Sequence, residues 1–266
     1  ICGGIFMLTL SPAAAIYILC VTAVTGLVMG SFCNAWAWRL SNGESISKGR
    51  SHCADCGHTL AAKDLIPLLS YLFLKGRCRY CGKHISLRYP AAELISAVYF
   101  VTVVLRFDIA APLVTLRWLL LGCLLLTASL TDLETQELPD RLTAGIVLLF
   151  VVFVPLSEGL QGFKNGILGA LPVGLSLFII VLLADKLMGR ETMGGGDIKL
   201  VAALGLHFGP AKMLLLLLLA CILGIIASAI GKKWNVPFPF GPSLAIAAWF
   251  TMLLGEQLIN LYLSFF

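Results

Sequence analysis

Two aspartates have surroundings that suit proton transfer. Asp197 follows three consecutive glycines, Gly194, Gly195 and Gly196, in the stretch TMGGGDIKL, and Asp132 lies far earlier, in TDLE. When two carboxylates lie close together they do not both ionise easily, so one keeps its proton while the other acts as a base on water. This chemistry hydrolyses a peptide bond without a nucleophilic serine or cysteine. The pair predicts aspartyl proteolysis, provided that the fold brings the two residues together.

The glycines beside Asp197 suit a peptide substrate. A residue without a side chain can adopt a positive φ and allow another chain to approach closely, so we expect Gly194, Gly195 and Gly196 to contact substrate. A plainer interpretation is that the glycines form a flexible turn and that Asp197 caps the next helix. Asp132 would then be a solvated charge at a helix end.

Four cysteines form the second group with a chemical role. Cys53 and Cys56 make one Cys-x-x-Cys pair, Cys78 and Cys81 make another, and 21 residues separate the pairs. This spacing is typical of a structural zinc site, in which four thiolates close a tetrahedral coordination shell. The alternative is two disulfides, which would require the loop to lie outside the cytoplasm, where thiols are not kept reduced.

Membrane helices must position these groups. Of the 266 residues, 59% are hydrophobic and only 12% are charged, against roughly 25% charged in an ordinary soluble domain. A helix needs about 20 mostly apolar residues to span a bilayer. We therefore expect an all-α polytopic membrane protein with about eight transmembrane helices and a small zinc-binding cytoplasmic loop domain. The helices are predicted at residues 1–38, 91–105, 113–131, 142–157, 165–184, 200–211, 213–231 and 234–255.

Three domains follow from this division. Residues 1–38 form an N-terminal transmembrane anchor, because the segment lacks the basic start of a signal peptide and is too long for its apolar core. Residues 39–90 form the cytoplasmic four-cysteine zinc domain. Residues 91–266 form the transmembrane aspartyl peptidase domain.

The positive charges predict the orientation, since short loops rich in Lys and Arg stay cytoplasmic. Nine of the 19 Lys and Arg residues lie between Arg39 and Arg88, with three acidic residues among them. This loop is therefore predicted to be cytoplasmic. Counting helices onward places residues 132–141 and 185–199, and with them both aspartates, on the same side.

Many short motifs, in order along the chain, resemble the bacterial type IV prepilin peptidases, which are GxGD-type membrane aspartyl proteases. The similarity runs from about residue 30 almost to the C-terminus, with Thr131 standing where an aliphatic residue is usual. The motifs are residues 30–34 with Arg39, residues 51–53, 66–71 and 75–79, residues 88–90 with Glu93, residues 131–132 and 138–140, the glycine-aspartate motif with Lys199, and residues 239–242.

The resemblance implies more than the residues alone do. It implies a leader peptidase of the inner membrane that cuts the basic leader from type IV prepilins or from the pseudopilins of type II secretion. Many members then methylate the new N-terminus with S-adenosylmethionine. It also implies that Asp132 and Asp197 are the catalytic pair, that Gly194 and Gly196 belong to their motif, and that the four cysteines hold zinc.

Charge predicts the other partners. The cysteine loop has a net charge of +6, or about +4 with four thiolates and one zinc ion, so it suits anionic lipid headgroups better than a basic leader. The acidic residues that follow Asp132 are the expected leader contacts: Glu134, Glu137 and Asp140. No nucleic acid partner is expected, and the sequence does not predict an oligomeric state.

Two other classes of protein share some of these sequence features. A transporter or ion-coupled channel would use Asp132 and Asp197 as a proton relay. Transporters usually show paired helix breaks in two repeated halves, and the sequence has no such repeat. A non-enzymatic assembly factor built around the zinc loop is the third possibility.

Overall fold

Long apolar helices make up most of the chain. The computed structural model describes residues 11–46, 49–107, 111–189, 192–231 and 239–265. Within these ranges it has seven α-helices, one 3₁₀ turn at Ala62–Asp64 and no strand. The helices are α1 Pro12–Ser41, α2 Leu69–Phe73, α3 Arg88–Phe107, α4 Pro112–Thr135, α5 Asp140–Met188, α6 Gly195–Gly231 and α7 Gly241–Leu263. All except α2 are long and apolar enough to cross a membrane.

Each predicted span overlaps one of these helices, and in two cases a single helix covers two predicted spans. The spans at 142–157 and 165–184 lie in one helix, α5, which loses helical geometry at Gly159 (φ 65°, ψ −165°). The spans at 200–211 and 213–231 likewise lie in α6, which is interrupted at Gly209 (φ 70°, ψ 176°) just before Pro210. Glycine adopts a positive φ without strain, and proline removes a helical hydrogen bond. The all-helical class is confirmed, and the count of eight spans stays a prediction.

The first ten residues of the predicted anchor and the first five of the last predicted span lie outside the described residues. The chain divides into two compact units, Ile1–Leu130 and Thr131–Phe266. The four cysteines belong to the first unit and both aspartates to the second. The three predicted domain boundaries stay predictions.

In the first unit, α1 and α3 approach each other closely through two glycines. A Cβ on Gly26 would lie 2.6 Å from the Cα of Ala97, and a Cβ on Gly30 would lie 2.7 Å from the Cα of Glu93. Such small-residue spacing allows close contact between membrane helices, where dispersion replaces the hydrophobic effect. Asn34 adds hydrogen bonds from Nδ2 to the carbonyls of Gly30 and Tyr89, each at 3.2 Å. The ends of the cysteine loop are thereby held together.

In the second unit, glycines allow α5 and α6 to pack closely. A Cβ on Gly205 of α6 would lie 2.7 Å from the carbonyl oxygen of Gly169 in α5. The imidazole Nε2 of His207, a buried residue, lies 3.0 Å from the carbonyl of Ile146 in α5. These contacts fix the first half of α6 against α5 and so position the first turn of α6, which carries Asp197.

Candidate active site and metal centre

Asp132 lies near the end of α4, where the helix gives way to a short acidic connection. Only 4% of the surface of Asp132 is exposed to solvent. The helix ends at Thr135, Gln136 adopts a left-handed φ of 56°, and Pro139 precedes the first residue of α5. Proline favours such a position because it cannot continue a preceding helix. The chain reversal leaves Asp132 buried and its acidic neighbours at the surface.

The N-terminus of α7 binds the Asp132 carboxylate. The backbone N–H of Gly241 donates a hydrogen bond to Asp132 Oδ2 at 2.7 Å. The N-cap residue of α7, Phe240, provides no side-chain cap, so this carboxylate satisfies one of the N–H groups that every helix start leaves unpaired. The positive end of the helix dipole also stabilises a negative charge there.

Asp197 lies in the first turn of α6. Its Oδ1 is buried, and no hydrogen-bond donor within the described ranges reaches it. The fold places the two carboxylates near enough for the charge of Asp132 to act on Asp197, although 64 residues lie between them in sequence. One aspartate oxygen is thus held by a backbone donor, while another is free to bind water or a substrate carbonyl.

The three glycines before Asp197 do not use the positive φ that glycine permits. None of Gly194, Gly195 and Gly196 has a positive φ. Gly196 instead allows the protein's own chain to approach, because a Cβ there would lie 2.9 Å from the Cβ of Leu138. Gly195 faces open space, and a Cβ on Gly194 would meet only Asp197 Oδ2, at 3.5 Å. Gly194 and Gly195 therefore have open space on their Cβ side, and substrate contact by the three glycines stays a prediction.

The acidic residues after Asp132 differ in their surroundings. Glu134 and Glu137 are exposed. Asp140 forms an ion pair with Lys199, with 2.6 Å between Asp140 Oδ1 and the Lys199 Nζ. Because Lys199 lies two residues after Asp197, this pair connects the start of α5 to the first turn of α6. Leader contact by all three acidic residues stays a prediction.

The four cysteines lie on two turns of the same design. Each Cys-x-x-Cys turn is flanked by a short antiparallel bridge, His52 with Thr59 and Arg77 with His84. Each is followed by a glycine with positive φ, Gly57 at 69° and Gly82 at 72°. In each turn the glycine N–H donates to the carbonyl of the first cysteine at 2.9 Å. Glycine is needed at this position because other residues are strained there.

Polar contacts hold the two turns to each other and to the loop. Lys83 after the second turn pairs with Asp55 in the first, with an N–O distance of 2.8 Å. Asp64 of the 3₁₀ turn accepts hydrogen bonds from Arg79 at 2.7 Å and from the Tyr80 hydroxyl at 3.0 Å. The hydrogen bond from Arg79 is the main reason why the pKa of Asp64 lies below its usual value. The loop is therefore ordered around its cysteines.

The cysteine geometry fits a metal ion. The sulfurs of Cys53, Cys56, Cys78 and Cys81 all lie within 4.8 Å of one another, and none of them is in a disulfide. A tetrahedral zinc ion with Zn–S bonds of about 2.3 Å separates its sulfurs by roughly 3.8 Å, which small side-chain rotations would achieve. Backbone N–H groups of Cys81 and Tyr80 lower the pKa of Cys78 to about 7. The predicted ligands are thus brought together as a group that suits zinc.

Two contacts at the active site were not predicted from the sequence. The hydrogen bond from Gly241 to Asp132 joins residues that are far apart, and only the phrase PFGP at residues 239–242 hinted at its place. The packing of Gly196 on Leu138 also depends on two distant segments. The sequence signal in each case was a glycine or proline within a motif, without any indication of its partner.

Comparison with protein families agrees with this site. Residues 24–107 match the Bacterial Peptidase A24 N-terminal domain, and residues 119–229 match the Type IV leader peptidase family. No solved structure matches the chain. The first matched region includes the cysteine loop, and the second includes both aspartates.

Three relatives are each named prepilin leader peptidase/N-methyltransferase. The protein of Dichelobacter nodosus is 38% identical over 85% of this chain and 83% of its own length. That of Aeromonas salmonicida is 39% identical over 81% of this chain and 75% of its own. The protein of Bacillus subtilis is 33% identical over 92% of this chain and 98% of its own length. With two neighbouring aspartates, a four-cysteine loop and similarity along most of its length, the chain belongs to the type IV leader peptidase family.

Proposed function

We propose that this chain is a multi-pass membrane aspartyl endopeptidase that removes the leader peptide from type IV prepilins or pseudopilins and then N-methylates the new N-terminus. The observation that carries the proposal is the pairing of Asp132 and Asp197, with Asp132 buried and oriented by the Gly241 N–H. Nothing in the site favours a proton-relay transporter, and the relatives described above carry the peptidase name.

The two carboxylates would divide the proton transfers between them. The ionised aspartate accepts a proton from a water molecule as the water oxygen attacks the scissile carbonyl carbon. The protonated aspartate donates its proton to the carbonyl oxygen, which gives a tetrahedral diol. When the C–N bond breaks, a proton passes from the carboxyl pair to the leaving amine. The hydrogen bond from Gly241 holds Asp132 in position throughout.

Substrate would approach from the side of Gly195, where no atom lies within 4 Å of the position of a Cβ. An extended peptide needs such room because its own backbone must come close to the reacting carboxylates. Exposed Glu134 and Glu137 would attract the basic leader from solution. Asp140 contributes less to this attraction, since Lys199 already compensates its charge.

Cys53, Cys56, Cys78 and Cys81 would hold a structural zinc ion. Four sulfurs complete the tetrahedral shell, so the metal has no open position for water and its role is to stabilise the loop. The positive charge of the loop supports a position on the cytoplasmic side of the inner membrane, next to anionic lipid headgroups. Both aspartates would then face the cytoplasm.

S-adenosylmethionine supplies the methyl group in the second reaction. Cleavage leaves a free α-amine, and this chain must hold that amine deprotonated next to the methyl donor. The peptidase pair needs no cofactor, so the methyl donor requires a separate site.

The test is incubation of the detergent-purified protein with a prepilin, followed by mass spectrometry. The expected result is a mass loss equal to the leader, and a further gain of one methyl group when S-adenosylmethionine is added. Asp197→Asn keeps the size of the side chain but cannot cycle a proton, so it should insert and fold without cleaving. Cleavage by Asp197→Asn at near the wild-type rate would overturn the proposal.

A further inference from the structure

The cysteine loop exposes a patch of large apolar side chains around the short helix α2. The apolar patch comprises Leu65, Ile66, Leu69, Leu72 and Phe73. The exposed fraction reaches 69% at Leu72 and 81% at Phe73. Within α2 these two side chains share a face with Leu69, because residues three and four apart in a helix are neighbours. Apolar surface gathered in this way usually marks a contact with another protein or with a membrane.

A hydrogen bond holds the apolar patch beside the start of a membrane-spanning helix. The backbone N–H of Leu68, the residue before α2, donates to Glu93 Oε2 of α3 at 2.8 Å. Glu93 is the sixth residue of α3, which places it about 7 Å along a helix that rises about 1.5 Å per residue. Its side chain leans back toward the N-terminus of α3, as helical side chains do. The helix α2 therefore begins beside the first two turns of α3.

The length of α3 indicates the depth of those two turns in the membrane. The helix has 20 residues, so it is about 30 Å long at about 1.5 Å per residue. The hydrocarbon core of a bilayer is also about 30 Å thick, so both ends of α3 lie at the edge of that core. Interfacial helices bury their apolar faces about 5–10 Å into the boundary between headgroups and acyl chains. The apolar patch is held at that depth.

Cations without an ion-pair partner flank the apolar patch. Lys63 precedes it, Lys75 and Arg77 follow it, and all three residues are exposed. In the part of the chain that the structure describes, none of the three forms an ion pair. The one acidic residue between Lys63 and Arg77 is Asp64, whose charge Arg79 already compensates. The surroundings of the patch are thus positive, which attracts anionic lipid headgroups.

The same positive charge disfavours two other occupants of the apolar patch. A second copy of this chain would bring the same three cations to the contact, and like charges across an interface repel each other. A prepilin leader, which is expected to be basic, would be repelled in the same way. An anionic bilayer surface satisfies both the apolar side chains and the cations.

We propose that the apolar patch inserts into the cytoplasmic leaflet of the bilayer, with Lys63, Lys75 and Arg77 on anionic headgroups, and so anchors the cysteine loop to the membrane surface. The inference rests on the proposed function, which has this loop on the cytoplasmic side of the membrane. It goes further because it assigns the contact to acyl chains as well as headgroups, and to particular side chains around α2.

Photocrosslinking identifies what covers the apolar patch. Benzoylphenylalanine, which reacts with nearby C–H bonds on illumination, replaces Phe73 in the full-length protein. The protein is placed with a prepilin in nanodiscs of phosphatidylglycerol and phosphatidylcholine that are large enough for two chains. Mass spectrometry then separates adducts with lipid, with the prepilin and with a second copy. We expect adducts on lipid acyl chains. Adducts mainly with the prepilin or with a second copy would overturn the proposal.

Thr59 is the matched control position. It is an exposed residue of the same loop, next to the first cysteine turn and outside the apolar patch. Benzoylphenylalanine at this position should give at least about fivefold fewer lipid adducts than at Phe73, because only the patch reaches the acyl chains. Zinc content and melting temperature show that both variants are folded. Equal yields of lipid adduct at the two positions of folded protein would overturn the proposal.

Charge variants test the contact with anionic headgroups. With the crosslinker at Phe73, phosphatidylglycerol should be enriched among the adducts about threefold or more over its share of the bilayer. The combined changes Lys63→Gln, Lys75→Gln and Arg77→Gln should abolish this enrichment. The charge-conserving changes Lys63→Arg, Lys75→Arg and Arg77→Lys should keep it. Equal enrichment in the two sets of variants would overturn the headgroup contact of these cations.

Leader cleavage is measured with the wild-type protein in the same nanodiscs. Cleavage of the prepilin, without lipid adducts at Phe73, overturns the membrane anchor and leaves the peptidase assignment intact. Lipid adducts at Phe73, in a protein whose wild type cleaves nothing, support the anchor and overturn the peptidase assignment. The two proposals therefore fail separately.

Discussion

Replacing Gly241 with alanine tests whether the start of α7 orients the catalytic carboxylate. A Cβ at this position would lie 2.8 Å from Asp132 Oδ2, 3.2 Å from its Cβ and 3.3 Å from its Cγ. Real Cβ atoms essentially never approach another heavy atom to less than 3.0 Å. Because the carboxylate is the end of a rotatable side chain, we expect Asp132 to move and its 2.7 Å hydrogen bond from the Gly241 N–H to break.

The size of the effect follows from that bond. A hydrogen bond to a charged group is worth about 1.5–3 kcal/mol, and about 1.4 kcal/mol corresponds to a tenfold change in rate. We therefore expect kcat for leader cleavage to fall about 10- to 100-fold in Gly241→Ala. KM should change little, since the substrate contacts are left in place. The helix itself should not weaken, because alanine favours a helix more than glycine does and Gly241 has no positive φ.

Gly224→Ala is the matched control. Gly224 is a buried glycine of α6 in the same unit, and a Cβ there would lie 3.5 Å from the Phe240 ring, an ordinary contact that does not involve Asp132. The assay is the initial rate of prepilin cleavage over a range of substrate concentrations, with melting temperatures for both variants. A Gly241→Ala protein that cleaves within about twofold of the wild-type rate, or that changes only KM, would refute the role assigned to this contact.

The remaining predictions concern the aspartates, the zinc site and the glycines. The double variant of Asp132→Asn and Asp197→Asn should cleave no more slowly than either single variant, since groups that act as a unit lose their effect together; an additive loss in the same assay would contradict this. Elemental analysis should find about one zinc per chain and less in Cys53→Ser, whereas stoichiometric disulfides without zinc would overturn both the metal site and the orientation. Gly196→Ala should destabilise the protein by about 1–3 kcal/mol through overpacking against Leu138. Gly195→Ala should keep the wild-type melting temperature and raise KM for the prepilin. Equal melting temperatures for the two variants would argue against the packing of Gly196 on Leu138.

Much of the architecture could be predicted from local patterns. Uninterrupted apolar blocks indicate spans because a membrane helix must satisfy its own backbone hydrogen bonds and bury its side chains in lipid. The breaks inside α5 and α6 could not be located in this way, since Gly159 and Gly209 are two glycines among 26 in the chain. A glycine permits a positive φ without requiring it, so packing decides which glycines adopt one.

At the aspartate site and the cysteine cluster, too, the sequence determines some features and the tertiary structure determines others. Residue type and spacing determined the four-cysteine cluster and the two aspartates, because a thiolate or carboxylate can do this chemistry only if the side chain is present. The tertiary structure alone decided that the Gly241 N–H holds Asp132, that Gly196 packs on Leu138, and that Glu93 accepts a hydrogen bond from Leu68. These contacts join segments that are distant in the chain. They depend on how closely helices approach, which a linear pattern of residue types does not contain.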